Sequence, residues 1–187
     1  DYYILAQSGK KNPKICFLPT ASGDNQGLID YFKYVFNYYP CRPSSLSLIN
    51  PEISDFEDFL LSQDIIYVGG GNTKSLLGIW REWGIDLILQ KAYNENILLS
   101  GISAGSVCWF DQCLSDCYPD KLTILPCLGL LSGANIVHYN ENKRELYHKH
   151  LLDYSMRGGY AVDDGAALHY IDGKLFRTIS TTKSSRV

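Results

Sequence analysis

The chain has 187 residues, of which 45% are hydrophobic and 20% charged, and its formal net charge is −3. This length suits one domain with a substantial core, and the apolar fraction excludes a disordered chain. Because basic residues do not outnumber acidic ones, nucleic acid is not expected as a partner. No apolar run reaches the roughly 20 residues that span a bilayer. We therefore expect one soluble catalytic domain over residues 1–187, with the cytoplasm as its default location.

Short apolar runs without polar alternation predict parallel strands that are buried on both faces. These runs cover residues 14–19, 64–68 and 96–101. A fourth strand is expected at residues 159–162, and Asp172-Gly173 is typical of the turn of a C-terminal hairpin over residues 169–176.

Apolar residues at a spacing near 3.6 predict helices between these strands. The helices cover residues 26–38, 54–62, 73–83, 85–94 and 142–153. Residues 1–8 are typical of the end of another helix, so the first strand of the fold is expected to precede Asp1. Strands that alternate with helices predict an α/β fold with a doubly wound, mostly parallel sheet flanked by helices.

Six cysteines are present, and none forms a C-x-x-C pair. That pattern would be needed for a redox dithiol or a zinc knuckle, and a chain of this length does not depend on disulfides. We expect free, mostly buried thiols and neither a metal nor a cofactor.

The segment Gly101-Ile102-Ser103-Ala104-Gly105 fits the G-x-S-x-G pattern of a nucleophile elbow. A predicted strand precedes it, and residues 106–110 are typical of a helix, which is the context that an elbow requires. The sharp turn needs small neighbours around its central residue. We expect Ser103 to be a nucleophile and the amide of Ala104 to donate to an oxyanion.

A second glycine-rich segment, residues 67–73, follows the predicted strand at 64–68. In open α/β sheets, ligands bind at this carboxyl edge. A phosphate loop is not indicated, because Thr73 rather than glycine precedes Lys74. The segment is either a tight strand–helix turn or, on the sharper hypothesis, the source of a second oxyanion donor at Gly70.

A serine nucleophile needs a base, and the chain has four histidines. His138 is favoured because it follows an apolar run and therefore lies at a strand end, as the elbow does. The other three lie in a charged helical stretch or in the predicted hairpin. For the orienting acid, Asp164 is preferred because a strand end fixes a side chain better than a loop. Asp116, expected in a loop after the elbow helix, is the alternative acid.

Taken in order and spacing, the elbow, the segment 68–73 and the pair His138-Tyr139 resemble the peptidase E (aspartyl dipeptidase) and cyanophycinase family of serine peptidases. The resemblance runs from residue 15 to residue 165. It implies a fold similar to class I glutamine amidotransferases (flavodoxin-like), with serine replacing their elbow cysteine. It also implies cleavage of peptide or isopeptide bonds next to aspartate.

Carried over by position, the resemblance implies Ser103 as nucleophile, His138 as base, and the amides of Gly70 and Ala104 as oxyanion donors. The third catalytic residue is either Asp164 or Asp116. Strict aspartyl dipeptidases hold the substrate's aspartate with an arginine, and the nearest match is Arg144. Asn72, directly after the glycines, is a further candidate for substrate binding.

We therefore expect a serine-type exopeptidase that hydrolyses short peptides, among them dipeptides with N-terminal aspartate, through an acyl-enzyme on Ser103. One alternative is a non-catalytic α/β module that holds an anionic metabolite in its glycine loops. Another is a small esterase of the α/β-hydrolase fold, for which few residues remain after Ser103. The expected partner is a small peptide, with no nucleic acid or membrane, and the oligomeric state, a homodimer included, stays open.

Overall fold

The structure is a computed structural model that describes residues 1–139, 141–153 and 155–187, with the side chains of residues 141, 142 and 144 outside the description. The chain divides into two units, residues 1–106 and 107–187. Each unit has its own four-stranded sheet.

The sheet of the first unit consists of four parallel strands in the order β2-β1-β3-β4. Its two central strands are almost wholly buried, as their unbroken apolar sequences predict. The edge strand β2 was not predicted, because proline and serine favour turns over strands, and proline is tolerated only at a sheet edge. The strands are β1 (Lys14–Leu18), β2 (Arg42–Ser45), β3 (Ile65–Val68) and β4 (Leu98–Gly101).

The helices of this unit lie where the spacing of apolar residues predicts them, and their ends agree with the prediction to within a few residues. The second helix packs Ile29, Phe32 and Phe36 against the central strands, and the rings of Phe32 and Phe17 stack with centroids 4.7 Å apart. The helices are α1 (Tyr2–Gln7), α2 (Gln26–Phe36), α3 (Phe56–Leu61), α4 (Thr73–Trp83) and α5 (Ile85–Asn94), with a short 3-10 helix at Thr20–Ser22.

The second unit contains a sheet of order β6-β5-β7-β8, in which β5 pairs with β6 antiparallel and with β7 parallel, and β7 pairs with β8 parallel. Helix α7 packs Tyr147 against Leu114, Ala134 and Ile136 of this sheet. A separate antiparallel hairpin, β9–β10, turns at Asp172-Gly173 as predicted, with φ positive at both residues. The elements are β5 (Phe110–Tyr118), β6 (Lys121–Pro126), β7 (Leu131–Val137), α7 (Glu141–Leu152), β8 (Gly159–Val162), β9 (Ala166–Ile171) and β10 (Lys174–Ser180).

Two local expectations after the elbow were wrong. The helix expected at residues 106–110 is a single turn, α6 (Ala104–Val107), and the chain is already extended at Phe110. Asp116 lies in β5 rather than in a loop. Pairing with β6 and β7 stabilises an extended conformation in a segment whose polar residues made it look like a loop.

All six cysteines are free thiols, three of them buried and three half-buried. Burial raises the pKa of Cys16 to about 12, so this thiol stays protonated. None of the helices in the described ranges has the length and apolarity needed to span a membrane.

Candidate active site

The elbow, residues 101–105, forms a turn that only small residues allow. A Cβ added to Gly101 would lie 2.1 Å from the carbonyl oxygen of Gly105, and one added to Gly105 would lie 2.2 Å from that of Val68. Between these glycines, Ser103 has φ +54°, a left-handed conformation that is unusual for a residue with a side chain. This strained backbone, at the end of a buried parallel strand, is typical of a nucleophile elbow.

The glycine loop after β3 lies directly against the elbow. Strands β3 and β4 pair in register, with Val68 opposite Gly101, so Gly70 comes opposite Ser103 two residues further on. A Cβ added to Gly70 would lie 3.2 Å from the Cβ of Ser103 and 3.8 Å from its Oγ. The absence of a side chain at residue 70 therefore leaves room beside the serine hydroxyl.

Hydrogen bonds on both sides fix this glycine loop. The amide of Gly69 donates to the carbonyl of Leu18 (3.0 Å), and the amide of Asn72 donates to that of Ala21 (2.8 Å). Gly71, with φ +143°, passes so close to Ala21 that a Cβ would lie 2.1 Å from its carbonyl oxygen. The backbone near Ser103 is thus held in one position before any ligand binds.

The amides of Gly70 and Ala104 are the candidate oxyanion donors. Within the described ranges, neither amide donates to a protein acceptor, whereas the neighbouring amides of Gly69 and Gly105 do. Backbone amides that are already oriented stabilise a developing negative charge without reorganising. The elbow and the glycine loop therefore together supply a hydroxyl and two candidate oxyanion donors.

In the second unit the structure brings together His138 and Asp164. His138 directly follows β7, Asp164 follows β8 by two residues, and these strands are parallel neighbours with Val137 opposite Val162. The Nδ1 atom of His138 lies 2.5 Å from Oδ1 of Asp164. Assigning the Nδ1 proton to this hydrogen bond makes Nε2 the basic nitrogen of the ring.

The direction of the His138 side chain depends on its backbone conformation. His138 has φ +53°, and the amide of the next residue, Tyr139, donates to the carbonyl of Val162 (3.3 Å). A histidine in the left-handed region persists only where the surrounding structure determines it. The turn after β7 therefore sets the direction of the imidazole.

The segment after β10 fixes the turn that carries Asp164. The hydroxyl of Ser185 donates to the carbonyl of Asp164 (2.6 Å), and the amide of Thr181 donates to that of Gly165 (2.8 Å). Asp163 exchanges two hydrogen bonds with the backbone of Arg186. This segment borders a polar cavity of about 310 Å³ lined by His138, Tyr139, Asp163, Asp164, Ser184 and Ser185.

The model of peptidase family S51 matches residues 1–178. The chain belongs to peptidase family S51. It is therefore a peptidase of the serine type and a hydrolase, and the resemblance on which the site residues were chosen is confirmed at the level of the family.

Two curated relatives of this S51 chain are bacterial. It is 46% identical to the uncharacterized peptidase YgaJ of Bacillus subtilis (strain 168) over 188 residues, which is 100% of this chain and 81% of YgaJ. It is 26% identical to the uncharacterized peptidase PM1590 of Pasteurella multocida (strain Pm70), over 74% of this chain and 68% of the relative. These relatives support peptidase activity without naming a substrate.

Two crystal structures share the fold. One is a candidate peptidase E protein from Listeria monocytogenes EGD-e, with a TM-score of 0.71 and 19% identity over 96% of this chain and 93% of that protein. The other is a peptidase from an acI-B1 Actinobacterium, with a TM-score of 0.64 and 19% identity over 95% of this chain and 76% of the other. The likeness to both confirms the α/β fold with its parallel strands flanked by helices.

Three further candidate site residues were predicted from the sequence: Asp116, Asn72 and Arg144. Asp116, the alternative acid, has its carboxylate 3.4 Å from the ammonium of Lys143. Asn72 caps α4, because its Oδ1 accepts a hydrogen bond from the amide of Ser75 (3.0 Å). The side chain of Arg144 lies outside the described residues.

Two features of the second unit were not predicted from the sequence. One is the burial of Lys143, and the other is the set of hydrogen bonds that residues 181–186 make to the turn at Asp164. Lys143 is buried, and Leu146 and Tyr147, three and four residues later on α7, pack on the sheet. That spacing places Lys143 on the buried face of the helix and was a usable signal. Nothing in the serine-rich end of the sequence indicated its bonds to the Asp164 turn.

Proposed function

We propose that this protein is a serine-type exopeptidase that hydrolyses short peptides through an acyl-enzyme on Ser103. The observation that carries the proposal is the elbow itself, in which Ser103 has a left-handed backbone and lies so close to the glycine loop that a Cβ added to Gly70 would be 3.2 Å from its Cβ. We propose further that residues 1–187 act as one catalytic domain, because the nucleophile and the candidate base come from different units of the chain.

In the first half of the reaction, His138 Nε2 takes the proton of Ser103 as the hydroxyl oxygen bonds to the substrate carbonyl carbon. The carbonyl π electrons move to its oxygen, where the amides of Gly70 and Ala104 stabilise the negative charge. The carboxylate of Asp164 holds the ring in the required tautomer and stabilises the imidazolium that forms. The step requires Nε2 of His138 to come within hydrogen-bond distance of Ser103 Oγ.

The tetrahedral intermediate then collapses and its carbon–nitrogen bond breaks. His138 delivers its proton to the leaving amine, and Ser103 remains as an ester of the acyl group. Water loses a proton to His138 and attacks this ester, and the second intermediate expels Ser103, whose oxygen takes the proton back from His138 as the acid leaves. Loss of either oxyanion donor would lower the rate by about 10²–10³.

The preferred substrates under this proposal are dipeptides with N-terminal aspartate. Arg144 is proposed to bind the substrate carboxylate, because a guanidinium matches both carboxylate oxygens in one plane. Asn72, next to the glycine loop, is proposed as a second substrate contact through its side-chain amide. The cavity beside His138, about 310 Å³, is at the small end for ligand pockets, which supports a short substrate.

A panel of dipeptides tests both the reaction and the specificity. Aspartyl, isoaspartyl and asparaginyl dipeptides with the same second residue differ only in the position or presence of the side-chain charge. We expect turnover of the aspartyl peptide, none by Ser103→Ala, and a selective loss of that preference in Arg144→Met. Lys149→Met, an exposed substitution on the same helix, is the matched control.

The outcomes separate the reaction from its specificity. Turnover of the asparaginyl peptide at the same rate would remove aspartate specificity and keep the peptidase. Undiminished turnover by Ser103→Ala would refute the proposed mechanism. Hydrolysis of simple esters without cleavage of any dipeptide would favour an esterase.

A further inference from the structure

Lys143 is buried beside the candidate base. It is 5% exposed, although lysine is almost never buried unless its charge is paired. Burying an ammonium is costly unless a carboxylate and further acceptors replace the lost water. Its partners therefore indicate what the lysine does.

Two of its contacts are with different strands of the second unit. The ammonium is 3.4 Å from the carboxylate of Asp116 on β5, and it donates a hydrogen bond to the carbonyl of Val137, the last residue of β7 (3.2 Å). Val137 is bonded directly to His138. Lys143 therefore links a carboxylate on one strand to the peptide group that begins the strained turn of the base.

The turn of His138 is then fixed on both sides. From the β8 side, the amide of Tyr139 donates to the carbonyl of Val162, and from the α7 side Lys143 holds the carbonyl of Val137. The left-handed conformation of His138 lies between these two contacts. Rotation of the peptide after Val137 would change the direction of the imidazole and weaken its hydrogen bond to Asp164.

We propose that Lys143 is a positioning residue for His138 and that Asp116 is the counterion of Lys143 rather than the triad acid. This inference rests on the proposed function, since the direction of the imidazole matters for turnover only if His138 is the base. The inference gives the buried Lys143 a role, and it gives Asp116, the alternative acid, a role other than orienting the ring of His138.

Lys143→Met removes the ammonium and keeps most of the apolar stem. We expect kcat to fall about 10²-fold, as for other small misplacements of a catalytic group, with KM within about threefold of the wild-type value. Asp116→Asn leaves the bond to Val137 in place and should keep kcat within about fivefold, because the side chain of Asp116 is 70% exposed and water screens its charge. Lys149→Met is the matched control and should match the wild type.

Each of three kinetic results would overturn the inference. Lys143→Met could keep the wild-type kcat, it could lose affinity while kcat stays unchanged, or Asp116→Asn could lose as much kcat as Asp164→Asn. If Lys143→Met does not fold, the double variant with Asp116→Asn carries the same prediction, because neither charge then lacks its partner. In the unaltered protein, ammonium protons of Lys143 that exchange with water as fast as those of Lys149 would also refute it.

Nuclear magnetic resonance of the His138 ring separates this inference from the proposed function. The proton shared by His138 and Asp164 should be observable in the wild type and in Ser103→Ala, and it should be lost or shifted in Lys143→Met. Absence of any reaction of the wild type at Ser103 would refute the proposed function alone. An unchanged ring resonance in Lys143→Met would refute the role of Lys143 alone.

Discussion

Nδ1 of His138 and Oδ1 of Asp164 lie 2.5 Å apart although the two side chains are 47% and 79% exposed. An exposed pair of this kind adds little to stability, because water screens the charges. Its geometry instead comes from the backbone, since both residues follow paired strand ends and both turns are fixed by hydrogen bonds. The contact between the two side chains therefore follows from the positions of their turns and contributes little to the stability of the fold.

Asp164→Asn should therefore remove activity and leave the fold intact. The amide cannot stabilise an imidazolium and favours the wrong ring tautomer, so kcat should fall by about 10⁴, as for the equivalent change in other serine triads. The free energy of unfolding should change by less than about 1 kcal/mol, measured by urea titration. Asp172→Asn, in the turn of the β9–β10 hairpin, is the control, and full activity of Asp164→Asn would exclude this acid.

Gly105→Ala tests the packing of the elbow. Its Cβ would lie 2.2 Å from the carbonyl oxygen of Val68, which is backbone and cannot move aside. We expect a loss of about 3 kcal/mol or more in unfolding free energy, together with loss of turnover, because the strand or the turn must shift.

Gly78→Ala is the matched control for that change. Gly78 lies within α4, and nothing within 4 Å would meet its Cβ. The substitution should stabilise the protein by up to about 1 kcal/mol, the difference in helix propensity. Equal effects of the two alanines in chemical denaturation would contradict the close contact between the elbow and β3.

Gly70→Ala tests the space beside the nucleophile. The methyl group would lie 3.2 Å from the Cβ of Ser103, and the amide would remain. We expect kcat to fall by about 10²-fold through misplacement of the hydroxyl or the carbonyl, with a small change in melting temperature. Steady-state kinetics with the aspartyl dipeptide gives the answer, and an unaltered kcat would place the substrate carbonyl elsewhere.

Asp111, the second residue of β5, gives the protein an acid-sensitive contact. Its carboxylate accepts from the amide of Gly133 (2.9 Å) and from Arg157 (2.6 Å), where β5 and β7 pair irregularly. The amide of Gly133 is the main cause of a lowered pKa of Asp111, and Arg157 adds to it against partial desolvation.

The sign of the pH dependence follows from that lowered pKa. Asp111 contributes its stabilisation fully above its unfolded pKa of about 3.9 and loses it as the pH falls through the lower folded pKa. Asp111→Asn should cost about 1 kcal/mol at pH 7, and the difference from the wild type should shrink below about pH 4. Urea titrations at several pH values measure it, and a difference that grows in acid would contradict the contact.

The short-range features of the fold could be predicted from the sequence. The unbroken apolar runs of β1 and β3 and the glycines around Ser103 leave few other conformations. Strand β2, with Pro43 and two serines, has no such pattern, and it is a strand because β1 offers it a partner. The same holds for β5, whose polar residues made Asp116 look like part of a loop.

The residues of the candidate site could be predicted where their role follows from their position at the end of a strand. Features that depend on contacts between distant parts of the chain could not be predicted. Asp164 and His138 could be chosen because each follows a strand, and the structure brings these two together. The left-handed conformation of His138 and the burial of Lys143 depend on contacts between β7, β5 and α7. The spacing of Lys143 from Leu146 and Tyr147 indicates the buried face of α7, but its contacts with Asp116 and Val137 could not be predicted from local sequence.

The central claim is that Ser103 is a nucleophile activated by His138. Mass spectrometry after reaction with a fluorophosphonate tests it most directly, because the reagent forms a stable phosphonyl ester with an activated serine. We expect one label, on the peptide that contains Ser103, with much slower labelling in His138→Ala and none at that peptide in Ser103→Ala. Labelling of another residue at the same rate in all three proteins, or no labelling of the folded wild type, would contradict the claim.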